Sequence, residues 1–284
     1  MNNKLKKHIL KKIKSIKVIN GLTQDTENIV LPLAENIKSY FHIEIISGRL
    51  HFWLSSHFDS LTSVKEEKSF VLNFSIQKLL NKNLVDPKLV NKVHAQLCND
   101  YFLTEDFHSD EIAINVKNGT LVIWGDGLEI IPHDPIYGMR YTLNHEYDPY
   151  AKAPKFIDFL QDVIVEKQSI VVILEYLGYI FLKNKLNLEK CLVFLGEGRN
   201  GKSVLLSIIV ALFGKENVSN LEMEDLSDPN KIAMLDGKLV NTGTDSSSKN
   251  LKSSNFKKLV SGEPIIGKIL YQDHIVIDDL PRFI

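Results

Sequence analysis

The sequence predicts an α/β protein: an α+β region ending in a helical pair, followed by a parallel sheet built from strand–loop–helix units. Three observations carry this. Apolar and polar residues alternate around Ser47-Gly48 and around Asn118-Gly119, the pattern of half-buried strands joined by tight turns. Helical periodicity follows the Asp148-Pro149 turn and resumes over about residues 167–183. An apolar run then breaks at "GEGRNGKS" and resumes as an almost wholly apolar helix.

The elements follow in order. "MNNKLKKHILKKIKSIK" puts Leu5, Ile9, Ile13 and Ile16 on one helical face, with Lys4, Lys7, Lys11 and Lys14 mainly elsewhere and no acid between them. Two readings fit it, a solvated helix docked by its apolar stripe and an arm that contacts phosphates. Turn formers in residues 20–35 make a linker, so residues 1–35 read as a basic helix and linker. "YFHIEIISGRLHFWLSS" is a β-hairpin, and Asp86-Pro87 starts a helix. "EIAINVKNGTLVIW" is a second hairpin, turning at Asn118-Gly119. Turn chemistry at Asp148-Pro149 leads into one helix, and a second covers about 167–183. Residues 36–185 thus form the α+β region and 186–284 the strand–loop–helix region, with "CLVFL" its first strand.

Composition bounds the function. With 284 residues, 44% of them hydrophobic, and a net charge of -1, the chain has material for a sizeable core and no global pull towards polyanions. Cys98 and Cys191 stand far apart, which argues against a disulfide framework or a cysteine-rich zinc site and for the reducing cytoplasm. The longest apolar run, "IVVILEYLGYIFL" from Ile170, is too short for a bilayer and carries Glu175, so no membrane partner is expected.

Gly196-Glu197-Gly198-Arg199-Asn200-Gly201-Lys202-Ser203 fits G-x-x-x-x-G-K-[ST]. Backbone N–H groups wrap a phosphate only where side chains leave room and the chain can take positive φ. The loop opens a helix whose unpaired N–H groups favour an anion. Lys202 is placed for the β- and γ-phosphates of ATP, and the Ser203 hydroxyl for Mg²⁺. With glycine near 7% of residues, the pattern arises by chance in roughly one chain of this length in a hundred. Its position between a strand-like and a helix-like run makes chance rarer still. "GKLVNTGTDSSS" then offers Asp245 after Leu239-Val240 as an acid for the Mg²⁺ shell or the attacking water; an ordinary loop aspartate fits equally. Asp236 is the other candidate, but it precedes the strand.

Several stretches together resemble the phage and plasmid primase-helicases, related to the poxvirus primase-helicase. They are "INVKNGTLVI", "YDPYAKAPKFIDFL", "LEYLGYIFL", "GEGRNGKS" with Asn200 its more specific letter, and "FKKLVSGEPIIGKILYQ". The resemblance covers about residues 100–284. It implies a superfamily 3 helicase sheet of AAA+ type, incomplete here, in an ATP-driven DNA translocase that self-associates into a ring. It also implies that Lys268 on a β-hairpin meets DNA, with Lys257 and Lys258 able to meet DNA or a neighbouring subunit. Asp245 departs from the family's more usual glutamate. "HIVIDDLPRFI" ends before the family's sensor asparagine and arginine finger, and no primase region precedes residue 36. The expectation is therefore a truncated primase-helicase, either a helicase motor or a non-hydrolysing nucleotide-binding remnant that assembles with other subunits. A P-loop small-molecule kinase fits poorly, because Arg282 is the only arginine after the loop.

Overall fold

The computed structural model describes residues 3–16, 29–78, 85–99, 111–182, 186–196, 200–243, 253–268 and 274–284. They fall into two compact units, one of residues 1–108 with 134–140, the other of residues 109–133 with 141–284. The boundary expected at residue 186 lies inside the second unit. One tie across it is the Tyr176 hydroxyl, which donates to the Phe283 carbonyl at 2.8 Å.

The first unit begins with α1 (Asn3–Ser15), whose stripe of Leu5, Ile9 and Ile13 is buried together with Ile16 just beyond its end. Burying each such side chain contributes about 1.5–3 kcal/mol. Lys78 donates to the Ile16 carbonyl and so fixes the end of the helix. Helix α2 (Val30–Tyr40) leads to an antiparallel meander, β1 (Ile43–Ile46), β2 (Arg49–Trp53) and β3 (Phe58–Ser60). The hairpin turns at Ser47-Gly48, with Ile46 opposite Arg49, as the alternation predicts. Helices α3 (Val64–Lys78) and α4 (Pro87–Asn99) complete the unit, and Asp86 caps α4 by accepting from the Leu89 N–H at 2.7 Å. Phe41, Phe52 and Phe70 meet edge to face, with centroids 5.0–6.1 Å apart.

Inside this core lies Glu67, wholly buried. One carboxylate oxygen takes Arg49 Nε at 2.6 Å and the other takes His94 Nε2 at 2.8 Å. Arg49 also donates to the Leu61 carbonyl at 2.7 Å. A buried charge persists only when paired and hydrogen-bonded, and this one is tied on both oxygens. Burial and the Glu67 charge push the neighbouring Cys98 thiol up to about 11.

The second unit opens with β4 (Ile112–Val116), β5 (Gly119–Trp124) and β6 (Gly127–Ile131), a three-stranded antiparallel sheet. The turn is Lys117-Asn118, with Val116 opposite Gly119, one residue earlier than the Asn118-Gly119 turn the sequence suggests. Gly119 answers a different need. A Cβ there would stand 2.4 Å from the Ile131 carbonyl oxygen of β6, so only glycine lets the strands close. The following segment runs beside β4, Leu143 donating to Asn115 O and Lys117 to His145 O.

Helices α5 (Pro154–Val163) and α6 (Lys167–Tyr179) are the expected pair. After the glycine loop come α7 (Lys202–Phe213), β7 (Val218–Ser219), α8 (Pro229–Ile232), β8 (Val240–Asn241) and α9 (Ser254–Val260). The hairpin β9 (Ile265–Lys268) and β10 (His274–Ile277) and the strand β11 (Arg282–Phe283) follow. Strands β11, β8 and β7 form a small parallel sheet in that order. "CLVFL" is not its first strand. Among the described residues the run makes one backbone bond to the sheet, Leu192 N–H to Phe283 O at 3.0 Å, and a strand requires a ladder. Val193 and Leu195 are exposed accordingly. Among the described residues the protein is α/β with small sheets, three of them antiparallel and the β11-β8-β7 sheet parallel.

Candidate functional site

All parallel strands of the second unit end at one edge, and the glycine loop lies at that edge. A cavity of about 170 Å³ opens there, with Lys202 and Ser203 at the start of α7, Gly243 just after β8 and Ile284 just after β11 on its rim. Leu206, Met223 and Phe256 supply apolar wall. In open α/β sheets ligands bind outside the carboxyl ends of the strands, which is where this cavity stands.

The loop is built by its glycines. Gly201 caps α7 with φ of 84°, a left-handed conformation that glycine adopts without penalty. A Cβ at Gly201 would also come within 2.8 Å of Val163 at the end of α5, so α5 leaves no room for a side chain. A Cβ at Gly196 would fall 2.0 Å from the Asn200 side chain. Lys202 Nζ donates to the Gly196 carbonyl at 2.6 Å and to Asn200 Oδ1 at 2.8 Å. Gly196 and Asn200 thus meet at the Lys202 ammonium group, and Gly201 caps the helix that carries it. Ser203 is exposed beside them in the first turn of α7, whose leading N–H groups have no partners within the helix. One cation thus stands beside a helix N-terminus, a pairing that favours an anion. Glu197, Gly198 and Arg199 lie outside the described residues, and so does Asp245.

Asp236 precedes β8, at the end of that strand away from the cavity. The carboxyl end of β8 carries a polar lock instead. Buried Asn241 accepts from Ser219 Oγ at 2.8 Å and from the Leu221 N–H at 2.9 Å, and returns a bond to the Leu221 carbonyl. Thr242 donates to Asn220 Oδ1 at 2.5 Å. Sequence reasoning overlooked this lock, although three polar letters closing a buried strand in "LVNTGT" were the available signal. It also overlooked His145, whose Nε2 bonds the Ala211 and Leu212 carbonyls at 3.2 and 3.0 Å and so caps the far end of α7.

The predicted DNA-facing lysines do not line the cavity that Lys202 lines. Lys257 and Lys258 are exposed on α9, whose Ser253 cap accepts from the Phe256 N–H at 3.2 Å while Phe256 and Leu259 face inwards. Lys268 is exposed at the end of β9, opposite His274. Arg282 is buried against the Tyr179 ring, 4.2 Å from its centroid, and donates to Asn187 Oδ1 at 3.2 Å and to the Leu186 carbonyl. Among the described residues no helix is long and apolar enough to cross a membrane.

Comparison with known proteins agrees in part with the sequence-level resemblance. No curated protein matches the chain. Residues 194–284, which hold the cavity and α7, match a family of unknown function, DUF5906. A solved structure, the A-form apo structure of the NrS-1 C-terminal region, is similar in fold. Its TM-score is 0.50 at 14% identity, over 88% of this chain and 55% of that one. The chain therefore spans about half the length of that structure. Residues 73–165 match the family described as D5 N terminal like, and this match supports the primase-helicase resemblance.

Proposed function

We propose that the chain is the nucleotide-binding and DNA-contacting part of a primase-helicase, a superfamily 3 motor of AAA+ type acting in replication of a phage, plasmid or integrated element. The observation that carries the reading is the cradle itself. Gly196 and Asn200 meet the ammonium of Lys202, which lines the cavity at the strand ends and begins a helix, in a loop of P-loop sequence. The D5-type match and the fold likeness support it.

In this reading Lys202 leaves the Gly196 carbonyl for the β- and γ-phosphates of ATP, and the loop N–H groups hold the phosphate oxygens. Ser203 and Asp245 would hold Mg²⁺, whose chemistry is to neutralise charge on the phosphates. Bound ATP supplies the free energy of its terminal phosphoanhydride. Lys268, with Lys257 and Lys258, faces DNA, and the chain self-associates into a ring in the cytoplasm. The experiment is titration with a fluorescent ATP analogue and Mg²⁺. Lys202→Ala should lower affinity at least tenfold, since a charge-assisted contact of about 1.5–3 kcal/mol is lost. Equal binding by mutant and parent would sink the reading.

One observation favours a second reading, a nucleotide-binding remnant that assembles with other subunits without hydrolysing. Arg282 packs on the Tyr179 ring and donates to Asn187 and Leu186, so this side chain is held within its own unit. An arginine finger is worth roughly 10³–10⁵ in rate in P-loop systems. ATP hydrolysis measured with and without single-stranded DNA separates the two. DNA-stimulated turnover rejects the remnant, and binding without turnover rejects the motor.

A further inference from the structure

The first unit carries a second positive surface, unrelated to the loop. Helix α1 has six lysines and no acid. Its apolar stripe is buried, so Lys4, Lys7, Lys11 and Lys14 form an exposed row spanning about 15 Å at 1.5 Å per residue. At the last turn of α1, Lys12 borders an open concavity of about 500 Å³ together with Lys38, Ser39, Tyr40 and His42. The Lys12 ammonium sits 5.2 Å from the centroid of the Phe41 ring. Tyr40 is 37% exposed and leans on Phe74 beneath it, with centroids 6.5 Å apart, which leaves part of its ring to solvent.

Among the described residues, acids near this surface are few. Glu66 is taken by Lys6, Glu44 lies 3.3 Å from His42, and Glu35 is exposed on α2. The remaining positive potential is felt within the helix itself, where burial, Lys12 and Lys11 together hold His8 below the usual histidine range.

We propose that the α1 lysine row and the Lys12–Tyr40 concavity form a binding surface for single-stranded nucleic acid. The lysines take phosphates and the Tyr40 ring takes a base face. A cationic row beside an exposed aromatic ring is the arrangement that holds single strands without reading sequence. The same lysines on a free amphipathic helix would also suit an anionic membrane. Here Leu5, Ile9 and Ile13 are already buried in the core and only Leu10 is left exposed, so the face that would enter lipid is not available. The inference rests on the nucleic-acid partner proposed above, but on different residues from the loop and the β9 hairpin.

The test uses the whole chain and a fluorescein-labelled thymidine oligonucleotide, followed by anisotropy across salt concentrations. The triple variant Lys7→Ala, Lys11→Ala, Lys14→Ala changes exposed positions only, and circular dichroism verifies its fold. Its slope of log K against log salt should be shallower by about 2, at about 0.7 per single-strand phosphate contact. Tyr40→Ala should weaken binding roughly fivefold or more with the slope kept. An unchanged slope in the triple variant overturns the proposal, as does tighter binding of duplex than of single strand. Binding to phosphatidylserine vesicles that outcompetes the oligonucleotide overturns it too. Lys202→Ala and Lys268→Ala chains run beside these. If ATP binding fails but oligonucleotide binding still depends on the α1 lysines, the nucleotide reading falls and this one stands. If ATP binding holds and only Lys268→Ala reduces oligonucleotide binding, this one falls.

Discussion

Glu67 in the first unit and Lys202 in the second are both charged groups placed by several elements, and the protein treats them in opposite ways. Glu67 is sealed, with Arg49 from β2 and His94 from α4 occupying its two oxygens. Lys202 lines an open cavity at the start of α7, its ammonium donating to the Gly196 carbonyl and the Asn200 amide oxygen. The first arrangement maximises what is lost when a partner is removed. The second keeps a cation where a stronger acceptor than a carbonyl can take it. A buried charge sealed by charged partners is structure, and a cation lining an open cavity is open to a ligand.

The largest effect should come from the sealed cluster. Glu67→Ala leaves Arg49 buried without its carboxylate, and losing one member of such a pair costs about 3–5 kcal/mol. Urea denaturation should register this, while the affinity for an ATP analogue should be unchanged in whatever protein remains folded. If Glu67→Ala proves harmless, the cluster is not sealed and the contrast with Lys202 disappears.

That contrast was half legible in the sequence. The glycine loop announced itself because its chemistry is local: spacing, glycines and a following helix all lie within residues 196–214. The hairpin at Ser47-Gly48 and the stripe of α1 were legible for the same reason, a short period on one element. Glu67 was not legible. It sits beside Glu66 in "VKEEK", and nothing local distinguishes the exposed-side acid that pairs with Lys6 from the wholly buried one. Arg49 and His94, 18 and 27 residues away, make the difference, and only the folded chain brings them there. "CLVFL" misled in the opposite direction. Its composition is that of a strand, yet strand identity depends on neighbours, and a single bond to β11 does not make a ladder.

Gly201 joins the two sides of the comparison, since it is needed both by the fold and by the site. Gly201→Ala puts an alanine at φ of 84°, which costs roughly 1–2 kcal/mol, and pushes its Cβ against Val163. Stability should fall by at least that amount, and nucleotide affinity should fall with it because the loop shifts. Adding Val163→Ala removes the contact but leaves the φ strain. The double variant should therefore fall short of the additive sum in stability and regain part of the affinity. Strict additivity would show that α5 does not shape the loop.

The smallest effect on stability should belong to Lys202. Its side chain is not part of either hydrophobic core, and the Gly196 carbonyl and the Asn200 amide can turn to water when it is gone. Surface substitutions of this kind stay within about 0.5 kcal/mol. Lys202→Ala should therefore leave the denaturation midpoint nearly unmoved while ATP affinity drops at least tenfold. The same argument makes Lys202→Arg informative. It keeps the charge but replaces a compact ammonium with a planar fork that cannot reproduce the Nζ contacts to Gly196 at 2.6 Å and Asn200 at 2.8 Å. Arginine should not rescue nucleotide binding. Full rescue would mean that the cradle only needs positive charge nearby, and the close convergence of Gly196, Asn200 and Lys202 would then have no part in recognising phosphate.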